Sequence, residues 1–200
     1  MSFREQSYID EQLREASLLE ARFGADFNAF FYSPQFHQYM LSLTPAGVTL
    51  MNSDNWGDLS VYNFPGPFYT GETDTCGTGI YAMDNVLFDE NYQEFVFRQP
   101  ASYFELLCLI DAGYVEVRDG YSADGNQRWT YERCRSWWLT VPSLLDWLSK
   151  DEGMKNINGK MLDNYIHYLQ TTAKDDLRKY CFFLENGYYP QDGQTLPELT

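Results

Sequence analysis

Val86-Leu87-Phe88-Asp89-Glu90-Asn91-Tyr92-Gln93-Glu94-Phe95-Val96-Phe97 is the stretch that separates an α+β reading of this chain from an all-helical one. Its two ends, Val86 to Phe88 and Glu94 to Phe97, are short β-branched and aromatic runs of the kind that suits a pleated, half-buried surface. Asp89 to Tyr92 between them has the Asp and Asn chemistry of a tight turn, so a hairpin is expected. Upstream, Val48-Thr49-Leu50-Met51, Leu59-Ser60-Val61-Tyr62 and Gly79-Ile80-Tyr81 are further strand candidates. The segment from Phe64 to Gly79 fits neither a helical nor a strand period. It is the longest irregular stretch, and such loops often carry function.

Helical signals flank this region. Ser2-Phe3-Arg4-Glu5 has the spacing of a capping box, and Tyr8, Ile9, Leu13, Ala16, Leu19 and Phe23 follow at helical intervals until Gly24. Ser33-Pro34 starts a second helix through Phe36, Tyr39, Met40 and Leu43, ended by Pro45-Ala46-Gly47. Ser102-Tyr103-Phe104-Glu105 repeats the capping box and opens a helix that closes at Gly113. Two strand candidates, Tyr114 to Arg118 and Gln127 to Tyr131, then surround a polar turn. That profile is shared with a winged helix, but a DNA reader should be basic and this turn carries Asp119 and Asp124, so a helix packed on a hairpin is the reading. Short helices are expected around Cys134, Trp137 and Trp138 and from Pro142 onward, with longer ones through Met161 to Leu169 and from Thr172 to a stop at Gly187.

The expected fold is therefore α+β. N-terminal helices, a central small, mostly antiparallel sheet with long loops, and a C-terminal helical part packed on it form one domain over residues 1–187. Residues 188–200, with Pro190 and Pro197, are expected as a loosely held tail.

Two hundred residues of which 44% are apolar are enough to bury a core without disulfide staples. Cys76, Cys108, Cys134 and Cys181 form no C-x-x-C pair, and the two histidines lie far apart in sequence, so free thiols and neither a metal site nor a cofactor are expected. No apolar run approaches the roughly 20 residues of a membrane helix, and the N-terminus lacks a basic region followed by an apolar one. A cytoplasmic protein is expected.

The formal net charge of −15 is unevenly placed. Residues 1–22 and 98–179 are nearly balanced, at −2 and −1, whereas residues 23–97 carry nine acids and no Lys or Arg. A field of one sign repels nucleic-acid phosphate and anionic lipid and steers basic partners inward. Direct nucleic-acid binding and membrane binding are thus disfavoured, and a basic protein partner is favoured.

The same base-free stretch is rich in aromatic residues. Asp54, Trp56, Asp58, Tyr69, Glu72, Asp74 and Asp84 combine carboxylates with rings, a pairing that suits the Arg and Lys of a partner through ion pairs and cation–π contacts. The expected function is an intracellular, acidic protein-binding protein, of the inhibitor or immunity type, that neutralises a partner with a basic site. A homodimer is left open.

The alternative is a small enzyme built on Thr75-Cys76-Gly77-Thr78-Gly79, where glycines would let amides converge on an anion and Cys76 would be the nucleophile, with His37 or His167 as its base. Asp74 beside the thiol opposes a thiolate, so the balance leans away from an enzyme. Neither phosphate-binding glycine signature occurs, and Asp119 to Asn126 breaks the ligand register of a calcium loop. Acidic pairs such as Asp89-Glu90, Asp151-Glu152 and Asp175-Asp176 read as solvated surface in a chain with 29 acids.

Overall fold

The computed structural model describes residues 3–43, 51 and 55–200. The cap expected at Ser2, most of the strand expected from Val48 to Met51, and Asp54 lie outside the described residues. The architecture is α+β and mostly helical.

Helix α1 (Phe3–Phe23) ends where Gly24 enters the left-handed region at φ +100°. A short helix, α2 (Phe27–Phe31), follows under an Asp26 cap, and α3 (Pro34–Ser42) under a Ser33 cap with proline at its first position. Five consecutive residues, Phe27 to Phe31, hold three phenylalanines, and all three are buried. Phe30 stacks on Phe23 at 4.3 Å and meets the edges of Phe36 and Tyr39, so α1, α2 and α3 share one aromatic cluster.

A 3-10 turn (Asn55–Asp58) leads to strand β1 (Tyr69–Thr70), and a second 3-10 helix (Thr78–Ala82) leads to β2 (Val86–Phe88) and β3 (Glu94–Val96). The hairpin read from the sequence is present, with Val86 opposite Val96 and Leu87 opposite Phe95. Helix α4 (Tyr103–Val115) is capped by Ser102 and buries Leu106 and Leu109 completely, each stabilising the fold by about 1.5–3 kcal/mol. It packs between α1 and the second 3-10 helix. Strand β4 (Tyr121–Ser122) pairs antiparallel with β1, and α5 (Gly125–Arg128) follows. Helices α6 (Tyr131–Leu148), α7 (Glu152–Asn158), α8 (Lys160–Thr171) and α9 (Ala173–Asn186) complete the chain, with α6, α8 and α9 in mutual contact. Leu162, Tyr165 and Leu169 of α8 recur at helical spacing and are all buried.

Several local expectations give way to tertiary context. Leu59 to Tyr62 is irregular and ends in a turn, Gly79 to Tyr81 lies in a 3-10 helix, Tyr114 and Val115 extend α4, and Gln127 to Tyr131 joins α5 to α6, so none of these is a strand. The two helices expected on either side of Pro142 are one, with the proline inside α6. The segment after Gly187 is also not loosely held. Arg178 donates to the carbonyls of Leu196 and Pro197 and pairs with Glu198, Tyr189 stacks on Tyr32 at 4.7 Å, and Leu199 is fully buried.

The sheets are small because side chains replace much of the ladder. Buried Asn63 accepts from the amides of Thr70 and Val96 and donates to the carbonyls of Ser60 and Thr70. Gln99 does the same for the turn above it, accepting from the Phe68 amide and donating to the carbonyls of Phe64 and Phe68. The irregular stretch thus meets the requirement that buried backbone groups be paired, without regular strands.

Candidate functional site

Residues 71–79 have no strand partner of their own, so their amides need acceptors from elsewhere. Three buried carboxylates supply them. Glu94 of β3, with no exposed surface, accepts from the Gly79 amide at 2.7 Å, from the Thr78 hydroxyl at 2.9 Å and from the Tyr121 hydroxyl at 2.5 Å. Glu116, just past α4, accepts from the amides of Asp74 at 2.7 Å and Arg118 at 3.1 Å on one oxygen and of Gly120 at 2.6 Å on the other. Asp74 accepts from the amides of Cys76 at 2.6 Å and Val117 at 3.1 Å. The Thr73 hydroxyl closes the ring of contacts by accepting from the Glu94 amide.

Among the described residues none of these three acids makes an ion pair. Their charge is met by backbone dipoles and hydroxyls. The consequences differ by site. Burial opposes the Asp74 charge, but the Cys76 and Val117 amides outweigh it and hold the carboxyl below its usual value. At Glu94 burial prevails over the Tyr121, Gly79 and Thr78 hydrogen bonds, and its pKa is raised. Gly79 allows this approach, since a Cβ there would lie 2.6 Å from Val86 Cγ1 and 3.3 Å from the Glu94 carboxyl carbon.

What this network positions is the 3-10 helix that follows. Ile80 and Met83 point outward, 60% and 56% exposed, with Tyr81 beside them. Across from them stand Tyr8 and Ile9 of α1 and Phe104 of α4, and the space between is a groove of about 850 Å³. The Tyr8 and Tyr81 rings meet edge to face at 5.5 Å. The Tyr8 hydroxyl donates to Asp111 at 3.0 Å, and Gln12 donates to the same carboxylate oxygen at 2.7 Å. Among the described residues the lining holds two acids, Asp84 and Glu105, and no base. Glu105 is balanced by Arg98 at 3.2 Å, while Asp84 is exposed without an ion pair among the described residues.

The residues expected to meet a partner are therefore divided. Asp58 and Asp84 are exposed. Glu72 is exposed but paired with Arg118 at 2.7 Å. Trp56 is half-buried between Tyr69 and Trp129, with the Arg133 guanidinium 5.3 Å from its ring centre. Tyr69 is fully buried and donates to Asp124, and Asp74 is spent on its own loop, so both are withdrawn from any contact surface. They are structural because the polar groups of this irregular segment are satisfied by partners within the fold, Tyr69 by Asp124 and Asp74 by the Cys76 and Val117 amides.

The residues of the enzyme alternative are not assembled. Cys76 is exposed, and the charge of Asp74, followed by their hydrogen bond, raises its pKa, which is the opposite of an activated thiol. His37 lies on α3 and His167 on α8, both exposed, and among the described residues neither is hydrogen-bonded to Cys76. No group of three or more His, Cys, Asp or Glu among the described residues is arranged to hold a metal. Glu94 and Glu116 were missed by sequence reasoning. The one local signal was an acid inside the β-prone run Glu94 to Phe97. No family model matches the sequence, and no curated protein and no solved structure matches it either.

Proposed function

We propose that this chain is an intracellular protein-binding protein, of the inhibitor or immunity type, that uses an acidic surface to engage a partner carrying a basic site. The observation that carries the reading is that the charge imbalance of residues 23–97 is not cancelled inside the fold. Of the described acids in that stretch, Glu72 alone makes an ion pair with another described residue, while Asp58, Asp84 and Glu90 are exposed and make none. Uncompensated surface charge of one sign raises the encounter rate with oppositely charged proteins and is screened beyond about 10 Å at about 0.1 M salt. The four cysteines stand as free thiols, in keeping with a cytoplasmic setting.

The test is the salt dependence of binding to a partner captured from the native host and then purified. Affinity should fall steeply with added salt. Asp58→Lys, Asp84→Lys and Glu90→Lys should each slow association while leaving the melting temperature nearly unchanged. Affinity that is constant from low to high salt would sink this reading.

A further inference from the structure

We propose that the groove between α1, α4 and the 3-10 helix Thr78–Ala82 is the docking site for an amphipathic segment of a partner protein, whose apolar side chains seat against Ile80, Met83 and Phe104 and whose flanking Lys or Arg meets Asp84. This rests on the proposed protein-binding function and gives it a location and a partner chemistry.

Three features carry it. The groove walls are apolar and its most prominent side chains, Ile80 and Met83, are more than half exposed, so this is an open trough on the surface. A small-molecule site would instead bury most of its ligand. Second, the exposed apolar residues are held in place by design of the surrounding fold. The amide and hydroxyl at the start of their 3-10 helix are fastened to the fully buried Glu94, and the 3-10 helix packs on α4. A preorganised apolar surface binds without the cost of ordering itself.

Third, the charged groups among the described lining residues are both acids. Glu105 is already paired with Arg98, which leaves Asp84 as the acid of the described lining without an ion pair to another described residue and Asp111 as a further acid behind Tyr8, so a segment flanked by Lys or Arg is complementary and an acidic one or an anionic lipid surface is not.

The experiment uses the whole chain with methyl-labelled Ile and Met and a synthetic amphipathic peptide of leucine and lysine as probe. Titration should shift the methyl signals of Ile9, Ile80 and Met83 ahead of those of the buried Met154. Replacing the probe's leucines by serine, or its lysines by glutamine, should each weaken binding by at least about tenfold, a free-energy change that separates specific seating from loose association. The double variant Ile80→Ser/Met83→Ser alters two exposed side chains, so it should keep its melting temperature, and it should lose the same factor.

A probe that fails to bind, binds without moving these methyls, or binds the double variant equally well overturns the groove assignment. If charge reversal at Asp58 or Glu90 still weakens the native partner while the double variant does not, the acidic-surface function stands and the groove falls alone. A concentration-dependent dimer abolished by Ile80→Ser/Met83→Ser would also overturn it, by assigning the groove to a second copy of this chain.

Discussion

Replacing Glu94 by alanine tests whether the buried carboxylates hold the long loop. Glu94 has no exposed surface, and its carboxylate is the acceptor for the Gly79 amide and for the Tyr121 hydroxyl, both in buried residues. Truncation leaves these two donors without a partner, at about 1–3 kcal/mol each. It also leaves a void, while removal of a buried charge offsets part of the loss. A net destabilisation of about 3–5 kcal/mol is expected, against a total stability of about 5–15 kcal/mol for a typical domain. Each kcal/mol lowers the melting temperature of a chain this size by about 2–4 °C, so a fall of roughly 6–20 °C should appear by circular dichroism, with a matching shift in the urea midpoint. The isosteric Glu94→Gln variant adds a signature in pH. Burial raises the Glu94 pKa in the folded protein, so the folded state holds that proton more tightly than the unfolded one. Glu94 then contributes stability that is complete below the ordinary carboxylate range and is lost as pH rises through the raised value. The other shifted acids largely cancel in a comparison of the two proteins. The stability advantage of the native protein over Glu94→Gln should shrink between acid and neutral pH. A loss below about 1 kcal/mol for Glu94→Ala, or an advantage that grows with pH, would refute the reasoning.

Asn63→Ala should cost about 2–4 kcal/mol in urea unfolding, because the Thr70 and Val96 amides both lose their acceptor in a buried setting; a near-neutral result would mean that the turn repacks around water. Cys76 should react with iodoacetamide more slowly than free cysteine at neutral pH, since Asp74 raises its pKa, and it alone should label in the folded protein because Cys108, Cys134 and Cys181 are buried. Mass spectrometry after timed quenching reads both points, and labelling faster than the free amino acid would revive the enzyme alternative.

The sequence by itself determined the fold class and most of the helices. Ser33, Ser102 and Gly187 mark helix boundaries through groups adjacent in the chain, and stripes such as Leu162, Tyr165 and Leu169 declare a buried face within a dozen residues. The hairpin of β2 and β3 was legible for the same reason, its turn and its β-prone arms being contiguous. The uneven charge was likewise a property of the sequence alone. Tertiary structure decided which acids bear that charge to the surface. Asp74, Glu94 and Glu116 look like any other acids in the sequence, yet each is buried because amides or hydroxyls as much as 43 residues away in the chain converge on it. The groove is equally non-local, because Tyr8, Ile80 and Phe104 become neighbours only when α1 and the 3-10 helix pack on α4. A cap or an apolar stripe is encoded in adjacent residues, whereas the partner that satisfies a buried charge depends on where the rest of the chain has folded, and that is why the acidic surface read from the sequence loses Asp74 and Glu94 to the interior while Asp26, Asp58, Glu72, Asp84 and Glu90 stay exposed.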